Sequence, residues 1–242
     1  MLRLPRMPDE SDIIALIRAR ASRAAPVRVG IGDDAAVIEQ DGEKDLLACC
    51  DLMVEGVHFR SEWCSPSLIG RKALAVTLSD IAAMGGSAKF AMVSFAIPRG
   101  ATSDFINGLI GGLFDMAEAS GVSIIGGDTS SSPGPLFIDT SAIGECARGR
   151  AVTRGGAKPG DLIFVTGTLG GSALGLALLE RGVRLGEREE YEAADPIIQA
   201  RREALMKHLA PEPQLSMSYA IGESGLATSM IDVSDGLTTD LG

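Results

Sequence analysis

The chain has 242 residues, 45% of them hydrophobic, with a mean hydropathy of +0.20. That is one large or two ordinary domains with enough apolar content for a core, and it excludes disorder as the main state. A net charge of −10 and a pI near 4.7 argue against a general nucleic-acid binder, which carries a basic face. Thirty glycines against seven Phe, two Tyr and one Trp describe a core of small aliphatic side chains cut by many turns.

In chain order, Asp9 to Ala24 reads as a short amphipathic helix behind residues able to cap it. Ala35 to Ile38 and Leu46 to Cys50 are short apolar runs around a turn-rich segment and predict a hairpin, with Asp33-Asp34 just before it and Asp51 just after. Ser67 to Met84 predicts a long, largely buried helix ended by Gly85-Gly86, with Asp80 inside it. Phe90 to Ile97 predicts a strand, Asp104 to Ala119 a helix closed at Gly121, and Val122 to Ile125 a strand running into Gly126-Gly127-Asp128-Thr129. Leu136 to Cys146 then completes a first domain, 1–148.

A second unit, 149–242, opens on a polar connector, then Leu162 to Thr166 as a strand, a Gly-rich turn and a helix from Ser172 to Arg181. This βα unit lacks the Walker spacing. Arg184 to Pro213 reads as an exposed, charged connector with helical pieces, and the unit as a whole reads as unfinished at Gly242. Cys49, Cys50, Cys64 and Cys146 have no CxxC spacing and fit a reducing cytoplasm. No secretory leader is recognisable, and no apolar run approaches the roughly 18 residues of a membrane span.

Five segments place an acid at the end of an apolar strand or inside an apolar helix, beside Gly or Ser in all but the Cys50-Asp51 case: Asp33-Asp34, Asp51, Asp80, Asp128, and Asp232 with Asp235. Any one of them suits a turn or a cap. Asp80 does not, because an ionised group among Leu78, Ile81 and Met84 is costly unless paired, and Arg71 and Lys72 lie more than two helical turns away. Gathered carboxylates resist ionisation unless cations neutralise them, and oxygen-only donors suit magnesium. With only His58 and His208 in the chain, and cysteines outside ligand spacing, the residues argue against a zinc site.

The segments IGDDAA at 31–36, D-x-x-V-E-G-x-H-F at 51–59, KALAVTLSDIAAMG at 72–85, GGDT at 126–129, R-A-V-T-R-x-G-A-K-P-G-D at 150–161 and IDVSDGL at 231–237, in this order, resemble the thiamine-monophosphate kinase family. That family belongs to a superfamily with aminoimidazole ribonucleotide synthetase and selenophosphate synthetase. The resemblance implies a two-domain α/β (α+β) fold, with an N-terminal mixed sheet backed by helices and a C-terminal α/β domain that is incomplete here. It implies ATP as co-substrate, several Mg2+ ions, thiamine monophosphate as acceptor, a cytoplasmic homodimer built through the first-domain strands, and direct phosphoryl transfer without a covalent nucleophile or general base. Carried over by position, Asp34, Asp51, Asp80, Asp128, Asp232 and Asp235 hold metal; Gly127, Asp128, Arg154 and Ser234 contact nucleotide; His58 touches the acceptor. Cys49 and Cys50 stand where the family often has Ser or Thr, leaving their main-chain carbonyls as metal donors in place of their thiols. Two rival readings are a superfamily member with another acceptor, which the D-x-x-V-E-G-x-H-F segment counts against, and a nucleotide- or metal-binding module without turnover.

Overall fold

The computed structural model describes residues 14, 15, 17–19, 26–186 and 195–241. Of the helix expected from Asp9 to Ala24, Ile14, Ala15 and Ile17, Arg18 and Ala19 are helical, and the rest lies outside the described residues.

A six-stranded mixed sheet forms the first unit: β1 (Val27–Val29), β2 (Ala36–Glu39), β3 (Lys44–Val54), β4 (Ser87–Pro98), β5 (Ser123–Ser132) and β6 (Phe137–Ala147), in the order β1-β2-β3-β6-β4-β5. All neighbours are antiparallel except β4 and β5. The hairpin expected at 35–50 is β2–β3, with Ala36 opposite Ala48. The strands run longer than their apolar cores. Asp51 therefore lies within β3 and Gly126-Gly127-Asp128-Thr129 within β5, since ladder hydrogen bonds extend pairing into polar residues. β1, whose Val-Arg-Val alternation is too short to read as a strand, is an addition to the expected strands. It is tied down by Arg28, whose guanidinium lies 2.5 Å from the fully buried Asp45, and Asp45 also accepts the Gly149 N–H at 2.8 Å.

Two long helices, α1 (Pro66–Ala83) and α2 (Ser103–Ser120), cover one face of the sheet. Pro66 opens α1 where its missing N–H costs nothing. Thr102 caps α2 by accepting the Phe105 N–H at 3.2 Å, and Gly121, at φ +66°, closes it as expected. The two helices cross at glycine: a Cβ on Gly70 would stand 1.9 Å from the Leu109 carbonyl oxygen, and one on Gly112 would stand 1.8 Å from that of Ser67. Ile69, Leu74, Leu78 and Ile81 of α1 are buried against Leu47, Ile138 and Ala142 of the sheet, with Leu109 and Leu113 of α2 in the same core.

Alternation puts Leu47, Cys49, Asp51 and Met53 of β3 on the helix-covered face. Leu52, Phe90 and Met92 point out from the other face, 53%, 44% and 39% exposed. No described element covers that outer face.

The second unit departs from expectation. Leu162 to Thr166 is not a strand: no described segment pairs with it, and Leu162, Ile163 and Phe164 stand 79%, 69% and 84% exposed. Apolar β-forming side chains do not make a strand without a neighbour to satisfy the backbone. The helix after the Gly-rich turn is α3 (Gly171–Glu180). The stretch expected as an exposed connector contains α4 (Pro196–Leu209), whose Leu205 and Leu209 are buried with Leu179 and Trp63 in a small second core. Beyond it lie α5 (Leu215–Ser224), which the sequence reading did not anticipate, and a final turn, α6 (Leu237–Asp240). Trp63 and His208 pack together: their rings meet edge to face at 6.1 Å, and burial pushes the His208 imidazole down to about 4. No helix among the described residues is long and apolar enough to cross a membrane, and the four cysteines are free.

Candidate functional site

Three carboxylates from three distant segments converge. Asp34 enters from the β1–β2 loop, Asp80 from the last turn of α1, and Asp232 from the stretch before α6. One oxygen of each lies within 4.8 Å of the others. Asp51 on β3 adjoins them, in hydrogen-bonding contact with Thr77 and Asp80.

The connector at 150–161 delivers Asp232. Ser229 donates its hydroxyl to the Arg154 carbonyl at 2.6 Å, and Thr228 donates to Asp161 at 2.6 Å. A Cβ on Gly156 would stand 1.7 Å from the Thr228 carbonyl oxygen, so the two chains run in backbone contact. Gly85 and Gly222 pack α5 against the end of α1 in the same manner. The acidic residue of the second unit is thus fixed to the first through glycine contacts, which need no long side chains.

The electrostatics are those of unneutralised like charges. Burial, with the charges of Asp51, Asp232 and Asp34, pushes Asp80 up to about 8. Burial pushes Asp232 up to about 6, opposed by a hydrogen bond from Ser79. Asp34 and Asp51 are also raised, mainly by burial. Arg154 is the cation at the centre: its guanidinium bonds the Asp34 carboxylate, and its N–H lies 3.2 Å from Asp33 Oδ1. The other oxygen of Asp34, Oδ2, is buried without a partner. Arg71 and Lys72 serve elsewhere, Arg71 on Glu212 at 2.5 Å and Lys72 on the His58 carbonyl at 3.0 Å.

The remaining expected residues are placed apart from this cluster. Asp128 is exposed on the edge strand β5, its carboxylate accepting the Thr129 N–H at 2.7 Å. Its cross-strand row is Asp128–Ser94–Asp139–Leu52, on the outer face, whereas Asp51–Thr140–Val93–Gly127 is on the helix face. Gly127 fits only as glycine, since a Cβ would stand 1.8 Å from the Val93 carbonyl oxygen. Ser234 and Asp235 are exposed on a turn held by Asp240, which accepts the N–H groups of Ser234 and Gly236 at 3.1 and 3.2 Å. Cys49 donates its thiol to the Thr77 carbonyl at 3.4 Å, and burial beside Asp80 and Asp51 raises it far above the usual thiol range. Cys50 points from the outer face. His58 is exposed at the tip of the β3–α1 loop, where its Nδ1 accepts the Val54 N–H at 2.9 Å.

Sequence reasoning passed over several residues that build this site. Asp33, inside a motif already singled out, holds Arg154. Thr77 and Ser79, polar residues in the apolar stretch before Asp80, contact Asp51 and Asp232, and that interruption was the available signal.

Residues 32–146 match the family described as "AIR synthase related protein, N-terminal domain". The chain is 40% identical over 233 residues to the thiamine-monophosphate kinase of Bacillus subtilis, covering 96% of this chain and 69% of that protein. The chain belongs to the thiamine-monophosphate kinase family. It is 38% identical over 225 residues to the thiamine-monophosphate kinase of Escherichia coli K12, covering 93% of this chain and 64% of that one. It therefore spans about two thirds of the length of these relatives. A solved structure described as "AaThiL complexed with AMPPCP and TMP" superposes with a TM-score of 0.81 at 31% identity, covering 96% of this chain and 67% of that one. The mixed sheet backed by helices is thus the thiamine-monophosphate kinase fold.

Proposed function

We propose that the chain transfers the γ-phosphate of ATP to thiamine monophosphate, giving thiamine diphosphate and ADP in one direct in-line step. The observation that carries this is the convergence of Asp34, Asp80 and Asp232 around a single arginine, in a chain whose family relatives carry that activity in their names.

The donor set fits magnesium. It is all carboxylate oxygen, it holds an orphaned buried oxygen on Asp34, and Asp80 is pushed up to about 8 for want of a neutralising charge. Asp34, Asp51, Asp80 and Asp232 would hold Mg2+ here, and Asp128 and Asp235, which stand apart from this cluster, would hold further ions of the several expected. Bound magnesium supplies neutralisation of the charge on the transferring phosphoryl group.

The chain's own groups bind and orient. Arg154, in place beside Asp34, offers its remaining N–H donors to a nucleotide phosphate. Gly127, kept as glycine by the close Val93 carbonyl, would meet the nucleotide through its own main chain. His58, whose Nδ1 accepts the Val54 amide, carries its proton on Nε2 and presents it to the acceptor phosphate. An acceptor phosphate oxygen forms a bond to the γ-phosphorus while the bond to the β,γ-bridging oxygen breaks. The attacking oxygen is already ionised, so no residue has to remove a proton.

We further propose that a second copy of the chain covers the outer sheet face, where Leu52, Phe90 and Met92 are exposed, bringing Asp128 to the border of the contact. The unit 1–148 is read as the nucleotide-binding and dimerisation domain, 149–242 as the second domain, and the cytoplasm as the site of action.

The test is incubation of the protein with ATP, Mg2+ and thiamine monophosphate, with thiamine diphosphate followed by chromatography. Product formed only with both ATP and Mg2+ is the expected result. Turnover of a different acceptor in place of thiamine monophosphate would overturn the reading.

A further inference from the structure

Lys72 is a cation with no carboxylate beside it. Half-buried near the start of α1, it makes no ion pair with any described residue, and burial lowers its ammonium below the usual lysine range. A lysine moved toward the interior ordinarily finds an acid. This one donates to a main-chain oxygen, the His58 carbonyl, at 3.0 Å.

The loop it holds is bonded at nearly every point. Val54 binds His58 twice: its carbonyl accepts the His58 N–H at 2.9 Å, and its N–H donates to the ring Nδ1 at 2.9 Å. Gly56 N–H reaches the Phe59 carbonyl at 2.7 Å, and Glu55 accepts the N–H groups of Ser61 and Leu136 at 3.3 and 3.2 Å. Phe59 is buried in the core while His58 next to it is exposed. The ring is thus an outward-facing tip on a fixed turn. Lys72 adds what these local bonds cannot, a tie from the turn to α1. Asp80 sits eight residues further along the same helix, about 12 Å by the rise of an α-helix.

We propose that Lys72 is a positioning residue for the acceptor: its ammonium, bonded to the His58 carbonyl, sets the imidazole at a fixed height along α1 from the carboxylate cluster and so aligns the acceptor phosphate with the nucleotide. The assignment rests on the kinase reading above. It gives Lys72 a role through His58 and no contact with either substrate. Removing the ammonium leaves a carbonyl without its donor and frees the turn to move against α1, which loosens the grip on the acceptor while the nucleotide side, held by Asp34, Arg154 and Asp232, is untouched.

The experiment compares Lys72→Met and Lys72→Arg with the unaltered chain. Lys72→Met is expected to raise KM for thiamine monophosphate at least tenfold with KM for ATP within twofold, and Lys72→Arg to recover most of the loss. Placed in a His58→Ala background, Lys72→Met is expected to add less than twofold, because its effect passes through that ring. Equal rises in both KM values, or full additivity with His58→Ala, would overturn the proposal. The second readout needs no turnover. The chain has two histidines, so the 15N resonances of His58 are assignable, and its main-chain and ring signals are expected to shift and broaden in Lys72→Met as the turn moves against α1. Unchanged His58 resonances in a folded Lys72→Met protein would also overturn it. Failure of the unaltered chain to phosphorylate thiamine monophosphate would instead remove the kinase reading, and the His58 resonances would still decide whether Lys72 sets the ring.

Discussion

Arg154 neutralises Asp34 across the two units of the chain, its guanidinium on the carboxylate and its main-chain N–H on Asp33. The same guanidinium thus occupies one oxygen of a carboxylate that the proposed metal needs. Arginine here supplies the positive charge beside the carboxylate, and its remaining N–H donors are open to a phosphate.

Two opposite effects follow for Arg154→Ala. ATP affinity should fall by about tenfold to a hundredfold, as expected for a lost charge-assisted hydrogen bond. Affinity for Mn2+ alone should rise, because the cluster loses its internal competitor. Titration calorimetry with each ligand checks both, and parallel weakening of the two would make Arg154 a structural tie only.

Asp80 gives a pH dependence whose sign is fixed by its burial. The folded chain holds its carboxyl protonated up to about 8, the unfolded chain to about 3.8, so between these values the folded state binds more protons and stability falls as pH rises. Without metal, the melting temperature should be lower at pH 8 than at pH 6, by about 5 °C for a chain of this size. Mg2+ should restore most at the higher pH, and Asp80→Asn should flatten the trend while weakening Mg2+-dependent nucleotide binding. Differential scanning fluorimetry across this range decides it. Unchanged nucleotide binding in Asp80→Asn would make that acid structural.

Gly112 tests the helix crossing. A methyl group there would overlap the Ser67 carbonyl, which belongs to a packed helix and cannot turn aside. Gly112→Ala should cost about 3 kcal/mol despite its better helix propensity, measurable by urea denaturation. Gly111, one residue away with open space around its Cβ position, should gain from the same change.

The outer face tests assembly. Met92→Glu places a charge in the middle of the Phe90, Met92 and Leu52 surface, where no partner charge is in reach. Sedimentation velocity should show the unaltered chain as a dimer and Met92→Glu as a monomer, with each retaining its fold by circular dichroism. A monomeric unaltered chain would end the dimer reading.

The sequence made α1, α2, the β2–β3 hairpin and β6 legible because each is a local pattern, an apolar period closed by Gly or a turn. Asp80 was legible for the opposite reason, as an ionisable group that its helix cannot satisfy. Which acids meet was not legible, since Asp34 and Asp232 are joined by tertiary contacts through the 150–161 connector. The face of Asp128 is a sharper case. Ile124 pairs with Ala91 and Gly126 with Met92, so Ile125 is one residue extra in the ladder, and everything after it changes sides. A residue count along β5 without that bulge puts Asp128 opposite Phe95, on the helix face that Asp51 shares. Leu162 to Thr166 misled through composition, because its residues favour a strand only where a neighbour exists.

That unpaired stretch also governs how the protein behaves in the tube. Leu162, Ile163, Phe164 and Val165 form an uncharged apolar run with free main-chain donors and acceptors, 42% to 84% exposed. Such a run is a template for edge-to-edge stacking between molecules. Turbidity on concentration, labelling by apolar dyes and chymotrypsin cleavage at Phe164 are the outcomes expected of these four exposed residues. Ile163→Lys is expected to lessen self-association by placing a charge within that run.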